Sequence, residues 1–144
     1  MEVALHEAMA GAEAGEVPVG AVLVDGAGGE VLARAHNRVE AWHDPTAHAE
    51  LLVIQAAARR LGRVRLDHAH IYVTLEPCPM CASAISFARL PRLYFGAYDP
   101  KGGGVDHGPR IFERASCHHR PEVIGGIEET RCAALLQGFF AARR

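Results

Sequence analysis

Apolar and polar positions change their period several times along this chain, and each change predicts an element. Residues 2–14 place Val3, Ala4, Met9 and Ala10 among polar neighbours, which predicts a helix ending near Gly15. VPVGAVLVD (17–25) is apolar and β-branched, the pattern of a buried strand. GAGG (26–29) supplies a turn and EVLARAHN (30–37) a second strand, so the pair predicts a hairpin. Asp44-Pro45-Thr46 reads as a helix start, and AHAELLVIQAAARRLG (47–62) as the helix it opens. AHIYVTLE (69–76) predicts a strand, and PCPMCASAISFARL (77–90) a helix opened by Pro79 and closed before Pro91. RLYFGAYD (92–99) predicts another strand. Residues 100–120 read as a loop rich in Gly, Pro and His, with a short turn near 111–114. EVIGGI (122–127) predicts a last short strand, and residues 128–144 a terminal helix. Helices and strands alternate after the hairpin, which favours one α/β domain over residues 1–144, a sheet with helices on its faces.

Composition agrees with a single packed domain. The chain has 144 residues, 49% apolar and 22% charged, so it can build a core and is not disordered. No run of about eighteen apolar residues is present, so no membrane span is expected. The acidic, amphipathic N-terminus lacks the basic start of a signal peptide. Four cysteines without such a signal point to thiols or metal ligands in a cytoplasmic protein. The net charge of −2 excludes nucleic-acid binding through a uniformly basic surface. Local basic clusters remain, at Arg59, Arg60, Arg63 and Arg65, at Arg110, Arg114 and His118–Arg120, and at Arg143 and Arg144. The first of these reads as a solvated face.

Two short segments carry the candidate chemistry. HDPTAHAELL (43–52) offers His48 and Glu50, and TLEPCPMCAS (74–83) offers Cys78 and Cys81. Each lies beside a proline near a predicted helix start. Side chains of a first helical turn tilt toward the helix N-terminus and reach the space ahead of it. Cys78 and Cys81 are three apart and can share a point. Two helix starts side by side would join them to His48. One imidazole and two thiolates suit Zn2+, one ion per chain, and leave one coordination position open. An open position is the mark of a catalytic site, whereas a structural site closes with four protein ligands. Cys132 lies in an apolar helical stretch and reads as a core residue. Cys117 is the remaining candidate for a fourth ligand in the alternative of a structural zinc module that binds RNA. Glu50, two residues from His48, can move a proton at a metal-bound water.

His48-Ala49-Glu50 followed by Pro77-Cys78-Pro79-Met80-Cys81 fits the known H-x-E…P-C-x-x-C signature of zinc nucleobase deaminases. Beyond the signature, EVPVGAVLV, HDPTAHAE, YVTLEPCPMCA, FGAYDPKGG and CAALLQGFF resemble the bacterial tRNA adenosine deaminases, the TadA family. That resemblance runs over nearly the whole chain. It implies a three-layer α/β/α sandwich of cytidine deaminase-like type with a mixed five-stranded sheet. It also implies a homodimer and conversion of the wobble adenosine of a tRNA anticodon to inosine. His48, Cys78 and Cys81 match the zinc ligands and Glu50 the proton shuttle. Asn37 matches a residue that hydrogen-bonds the base. Asp99 matches an anticodon-loop contact, with Lys101 beside it. Phe139, Phe140, Arg143 and Arg144 match a C-terminal segment that touches the RNA. The alternative within the same chemistry is deamination of a free base or nucleoside of guanine or cytosine type.

Overall fold

The computed structural model describes residues 1–144. Helix α1 (Glu2–Glu13) buries Ala4, Leu5, Ala8 and Gly11, one stripe at helical spacing. Strands β1 (Gly20–Asp25) and β2 (Val31–His36) follow as an antiparallel hairpin. Its turn closes through Gly29, whose positive φ of 71° suits glycine. A short helix, α2 (Val39–Trp42), precedes α3 (Ala49–Leu61). Then come β3 (Ala69–Leu75), α4 (Pro79–Phe87), β4 (Arg92–Ala97), a 3₁₀ turn at Ile111–Glu113, β5 (Glu122–Ile124) and α5 (Glu129–Ala141).

The sheet order is β2-β1-β3-β4-β5. β1 pairs antiparallel with β2 and β3, whereas β3, β4 and β5 run parallel, so the sheet is mixed. Parallel neighbours need a crossover, and α4 supplies the one between β3 and β4. Alternate residues of each strand face opposite layers. Ala21, Leu23, Ile71, Val73, Leu93 and Phe95 pack with Val53, Ala57, Ala82 and Ile85 from α3 and α4. On the other face Leu5 of α1, Ala97 and Cys132 of α5 form a smaller cluster. α1 packs on β1 and β2, α5 on β4, and α3 against α4, which gives the three-layer α/β/α sandwich. Gly20 lets α1 sit directly on β1, because a Cβ there would meet the Ala4 carbonyl and the Ala8 amide. No helix is long and apolar enough to cross a membrane.

Several boundaries differ from the sequence expectation, and four have a visible local cause. The first strand starts at Gly20 and not at 17, because the Val19 amide turns back to the Val17 carbonyl at 2.8 Å. The helix expected to open at Asp44-Pro45-Thr46 begins at Ala49. There the Asp44 carboxylate accepts hydrogen bonds from the Thr46 amide (2.8 Å) and hydroxyl (2.6 Å), which holds a turn in place of helix. The last strand ends at Ile124, since Gly126 turns the chain with a φ of 80°. Helix α4 ends at Phe87, and Arg89 takes a left-handed conformation before Pro91. The four-residue α2 carries too little periodicity to announce itself.

One ion-pair cluster ties α1 to the edge strand. Glu7 accepts from Arg34 Nε at 2.7 Å and lies 3.0 Å from His36 Nδ1. Burial pushes the Glu7 carboxyl up, but the bonds to Arg34 and His36 outweigh it and hold the group below its ordinary value. A depressed carboxylate stabilises the fold above its unfolded-state pKa and loses that contribution as pH falls through the folded value. Glu7→Gln should therefore cost about 1–2 kcal/mol at pH 7. Urea unfolding of the two proteins should converge as the pH drops below about 4; a difference that persists in acid would show that the charge is not the cause.

Candidate active site

His48 and Cys78 occupy the N-cap positions of α3 and α4, both with extended backbone. An extended N-cap points its side chain across the helix end and not along the helix flank. Pro79 follows Cys78 at the first helical position, where its missing N–H costs nothing. Cys81 lies in the first turn of α4 and is fully buried. Because α3 and α4 pack side by side, the three side chains converge. His48 Nδ1 lies 3.6 Å from Cys78 Sγ and 3.5 Å from Cys81 Sγ. All three ligand atoms fall within 4.8 Å of one another. A tetrahedral ion with bonds of about 2.3 Å to sulfur and about 2.0 Å to nitrogen separates such atoms by about 3.5 Å. The donor set therefore fits a metal ion of that geometry.

The electrostatics prepare the same set. The Cys78 thiol is pulled down to about 4, first by the hydrogen bond from Cys81 and then by His48. Cys81 is pushed up by its bond to Cys78 and by burial, and His48 is raised chiefly by Cys78. One thiolate thus forms readily beside an imidazole, and a cation is what allows the second. Glu50, in the first turn of α3, is 3% exposed and its Oε2 lies 3.5 Å from Cys81 Sγ. Burial raises its carboxyl to about 7, so both protonation states are accessible near neutral pH.

His48, Glu50 and Cys78 line a cavity of about 820 Å³, with Cys81 buried behind them. Its walls are Val17, Asn37, Val39, Glu40, Asp99 and Phe139, with Arg143 at the rim. Asn37 is buried, and its Oδ1 accepts the Ala49 amide at 2.9 Å. That bond satisfies an orphan donor of α3 and fixes Asn37 in the cavity wall. Asp99 Oδ1 accepts the Lys101 and Gly102 amides, so the carboxylate shapes its own loop. Phe139 lies in the cavity wall under the Arg143 guanidinium, 3.4 Å from the ring centre. Phe140, 47% exposed, turns outward into an adjoining hollow with Lys101, Arg143 and Arg144. The terminal aromatic pair therefore splits between two sites.

Cys117 stands apart from the metal-binding set. It contacts Ser86 Oγ at 3.4 Å and the His119 carbonyl at 3.1 Å. The group able to hold an ion contains His48, Cys78 and Cys81. Cys132 is 1% exposed and packs in the core, as the sequence suggests.

Two buried carboxylates escaped the sequence reading. Glu16 accepts the Glu40 and Ala41 amides at 3.0 and 2.9 Å and thereby fixes α2, one wall of the cavity. Glu76 fixes the opposite wall. Its carboxylate accepts the amides of Asp99, Val105, Asp106 and His107 and lies 2.8 Å from His107 Nδ1. Burial alone would raise the Glu76 carboxyl, but these bonds hold it below its usual value. The loop backbone closes on it at Gly103 and on Cys78–Pro79 at Gly104, where no Cβ fits. The signal available in the sequence was two Glu residues inside apolar runs, at 16 and 76.

Fold and site together define a cytidine deaminase-like enzyme domain. The model of the MafB19-like deaminases matches residues 1–144. The tRNA-specific adenosine deaminase of Agrobacterium fabrum is 54% identical over all of this chain and 93% of its own length. A solved structure from work on A-to-I editing by tRNA:A34 deaminases superposes with a TM-score of 0.91 at 54% identity, covering 94% of this chain and 97% of that one. A guanine deaminase from Nitrosomonas europaea shares the fold at 21% identity, with a TM-score of 0.85 over 97% of this chain and 82% of its own. The chain belongs to the family of tRNA-specific adenosine deaminases.

Glu76→Gln replaces an acceptor facing four amides with a group that is half donor. It should lower stability by about 2–4 kcal/mol in urea unfolding. A loss under about 0.5 kcal/mol would show that the 99–107 loop is held by other contacts.

Proposed function

We propose that the protein converts the wobble adenosine of a tRNA anticodon to inosine. In this reading His48, Cys78 and Cys81 hold one zinc ion per chain and Glu50 moves the proton. The observation that carries it is the convergence of an imidazole, two thiols and a buried carboxyl in one cavity. The chain's relatives supply the substrate class, since all of this chain aligns with tRNA-specific adenosine deaminases, over 93% and 88% of their own lengths.

When bound, zinc supplies a Lewis acid that brings the pKa of a water from about 15.7 to about 7. Glu50 takes the proton from the water that attacks C6 of adenine and passes it to ring N1. It then assists the departure of ammonia, so adenosine and water give inosine and ammonia. Its poise near neutrality suits both directions of transfer, a contribution of about 10²–10⁴-fold. The Asn37 amide reaches the base edge. Asp99, Lys101 and Arg143 ring the mouth, and Phe140 offers a stacking face to a neighbouring base. An anticodon loop presents its wobble base unpaired, which spares the few kcal/mol of extrusion from a duplex.

We also propose a homodimer formed through α3 and α4. A groove of about 540 Å³ between them is lined by Leu51, Ile54, Ala58, Val64, Ala84 and Phe87. Phe87 and Val64 are 76% and 84% exposed, an apolar face that a second copy would cover. Phe87→Glu should halve the mass measured by sedimentation; an unchanged mass would place the interface elsewhere.

The decisive assay incubates the protein with unmodified tRNA carrying A at the wobble position and detects inosine there, with free guanine and cytidine in parallel. Glu50→Ala should lose at least about 10²-fold in turnover while retaining about one zinc per chain by elemental analysis. Near-normal turnover of that variant would remove Glu50 from the mechanism, and ammonia from the free bases alone would replace the substrate.

A further inference from the structure

A second cavity, of about 390 Å³, lies on the far side of α2 from the candidate active site. The short helix is a partition. Val39 and Glu40 line the first cavity, whereas Arg38 and Trp42 line the second with Arg34, His36 and Arg59. Trp42 is the chain's single tryptophan, and it is 57% exposed. Its indole, lining this cavity, presents an accessible aromatic face. Arg34 is answered by Glu7, but Arg38 and Arg59 meet no carboxylate. His36 adds a further unanswered group, because its Nε2 is buried without a hydrogen-bond partner. The platform is rigid, since Glu16 holds the amides of Glu40 and Ala41.

We propose that Trp42, Arg38 and Arg59 form an RNA-binding subsite for nucleotides flanking the edited base, with Trp42 stacking a base and the two arginines neutralising phosphates. The proposal rests on the tRNA reading above and adds a place on the molecule to it. Once one base enters the catalytic cavity, the flanking nucleotides must leave it over its rim, and α2 is part of that rim. An exposed aromatic beside unpaired guanidinium groups is the composition that binds single-stranded nucleic acid: stacking is indifferent to sequence, and the arginines track the backbone. The same composition disfavours a second copy of this chain as the occupant. The apolar face suited to that role lies in the groove of Phe87 and Ile54, and the self-complementary contact of a two-fold dimer would oppose arginine to arginine or bury it unpaired. A local patch of this kind also explains how a chain of net charge −2 holds a polyanion.

The test uses the full-length, zinc-loaded protein and an anticodon stem-loop RNA. Kd is read by fluorescence anisotropy on the unreactive product stem-loop with inosine at the wobble position, over a range of salt, and kcat on the adenosine form. Trp42→Ala should weaken binding about 5–100-fold with kcat at saturation within about twofold, and Trp42→Phe should recover most of the loss. Arg38→Ala with Arg59→Ala should weaken binding and reduce the slope of log Kd against log salt by about 1.4, while the paired Lys substitutions keep the slope. Kd and slope equal to wild type in all these variants would overturn the subsite. Loss of the dimer in sedimentation by Trp42→Ala would assign the patch to a protein interface and overturn it too. A wild-type protein that forms no inosine would overturn the tRNA reading itself, which the variants cannot mimic.

Discussion

The side-by-side packing of α3 and α4 on one face of the sheet is the constraint on which the site depends. His48 and Cys78 both stand at helix N-caps with extended backbone, so each side chain projects into the space where the two helices begin. Neither cap makes a side-chain hydrogen bond to its own helix, which leaves the imidazole and the thiol free for a metal. The caps that other helices use for stability are here given to ligands, and the lost stabilisation is about 1 kcal/mol each. Asn37 compensates in part by capping α3 from outside, through the Ala49 amide. Asn37 is thereby locked in place by the helix that carries Glu50.

The cavity walls follow a second rule. One is the start of the short helix α2 and the other an irregular loop, and both carry amides without a partner in regular structure. Glu16 satisfies α2 and Glu76 satisfies the 99–107 loop. A buried carboxylate is costly when alone, but four amides and an imidazole surround Glu76. Such a knot fixes geometry, which is what a pocket needs in order to hold a base against a proton carrier. It also explains glycine at 103 and 104: the loop winds too tightly around Glu76 and Pro79 for side chains.

Much of this was legible in the sequence. The period changes located all five strands and the four long helices, since most of them bury an apolar stripe or alternation. The grouping of His48, Cys78 and Cys81 beside Glu50 was legible because few residue types carry atoms able to hold a metal ion, and two helix starts side by side bring them together. The misplaced boundaries and the missed element were governed by local features that leave no apolar period. Asp44 looked like a helix opener and instead holds a turn through Thr46, and α2 was too short to show a period.

What the sequence determined by itself was therefore the order of elements and the chemical identity of the site. Tertiary structure decided which polar groups answer one another. It gave Glu16 and Glu76 their roles, sent Phe139 into the cavity wall and Phe140 outward, and set Cys117 against Ser86 and away from the metal-binding set. It also placed Trp42 and two free arginines on one side of α2. The physical reason is one of range: apolar burial leaves a periodic trace in the chain, whereas a hydrogen bond between Glu76 and His107 joins positions 31 residues apart and leaves none.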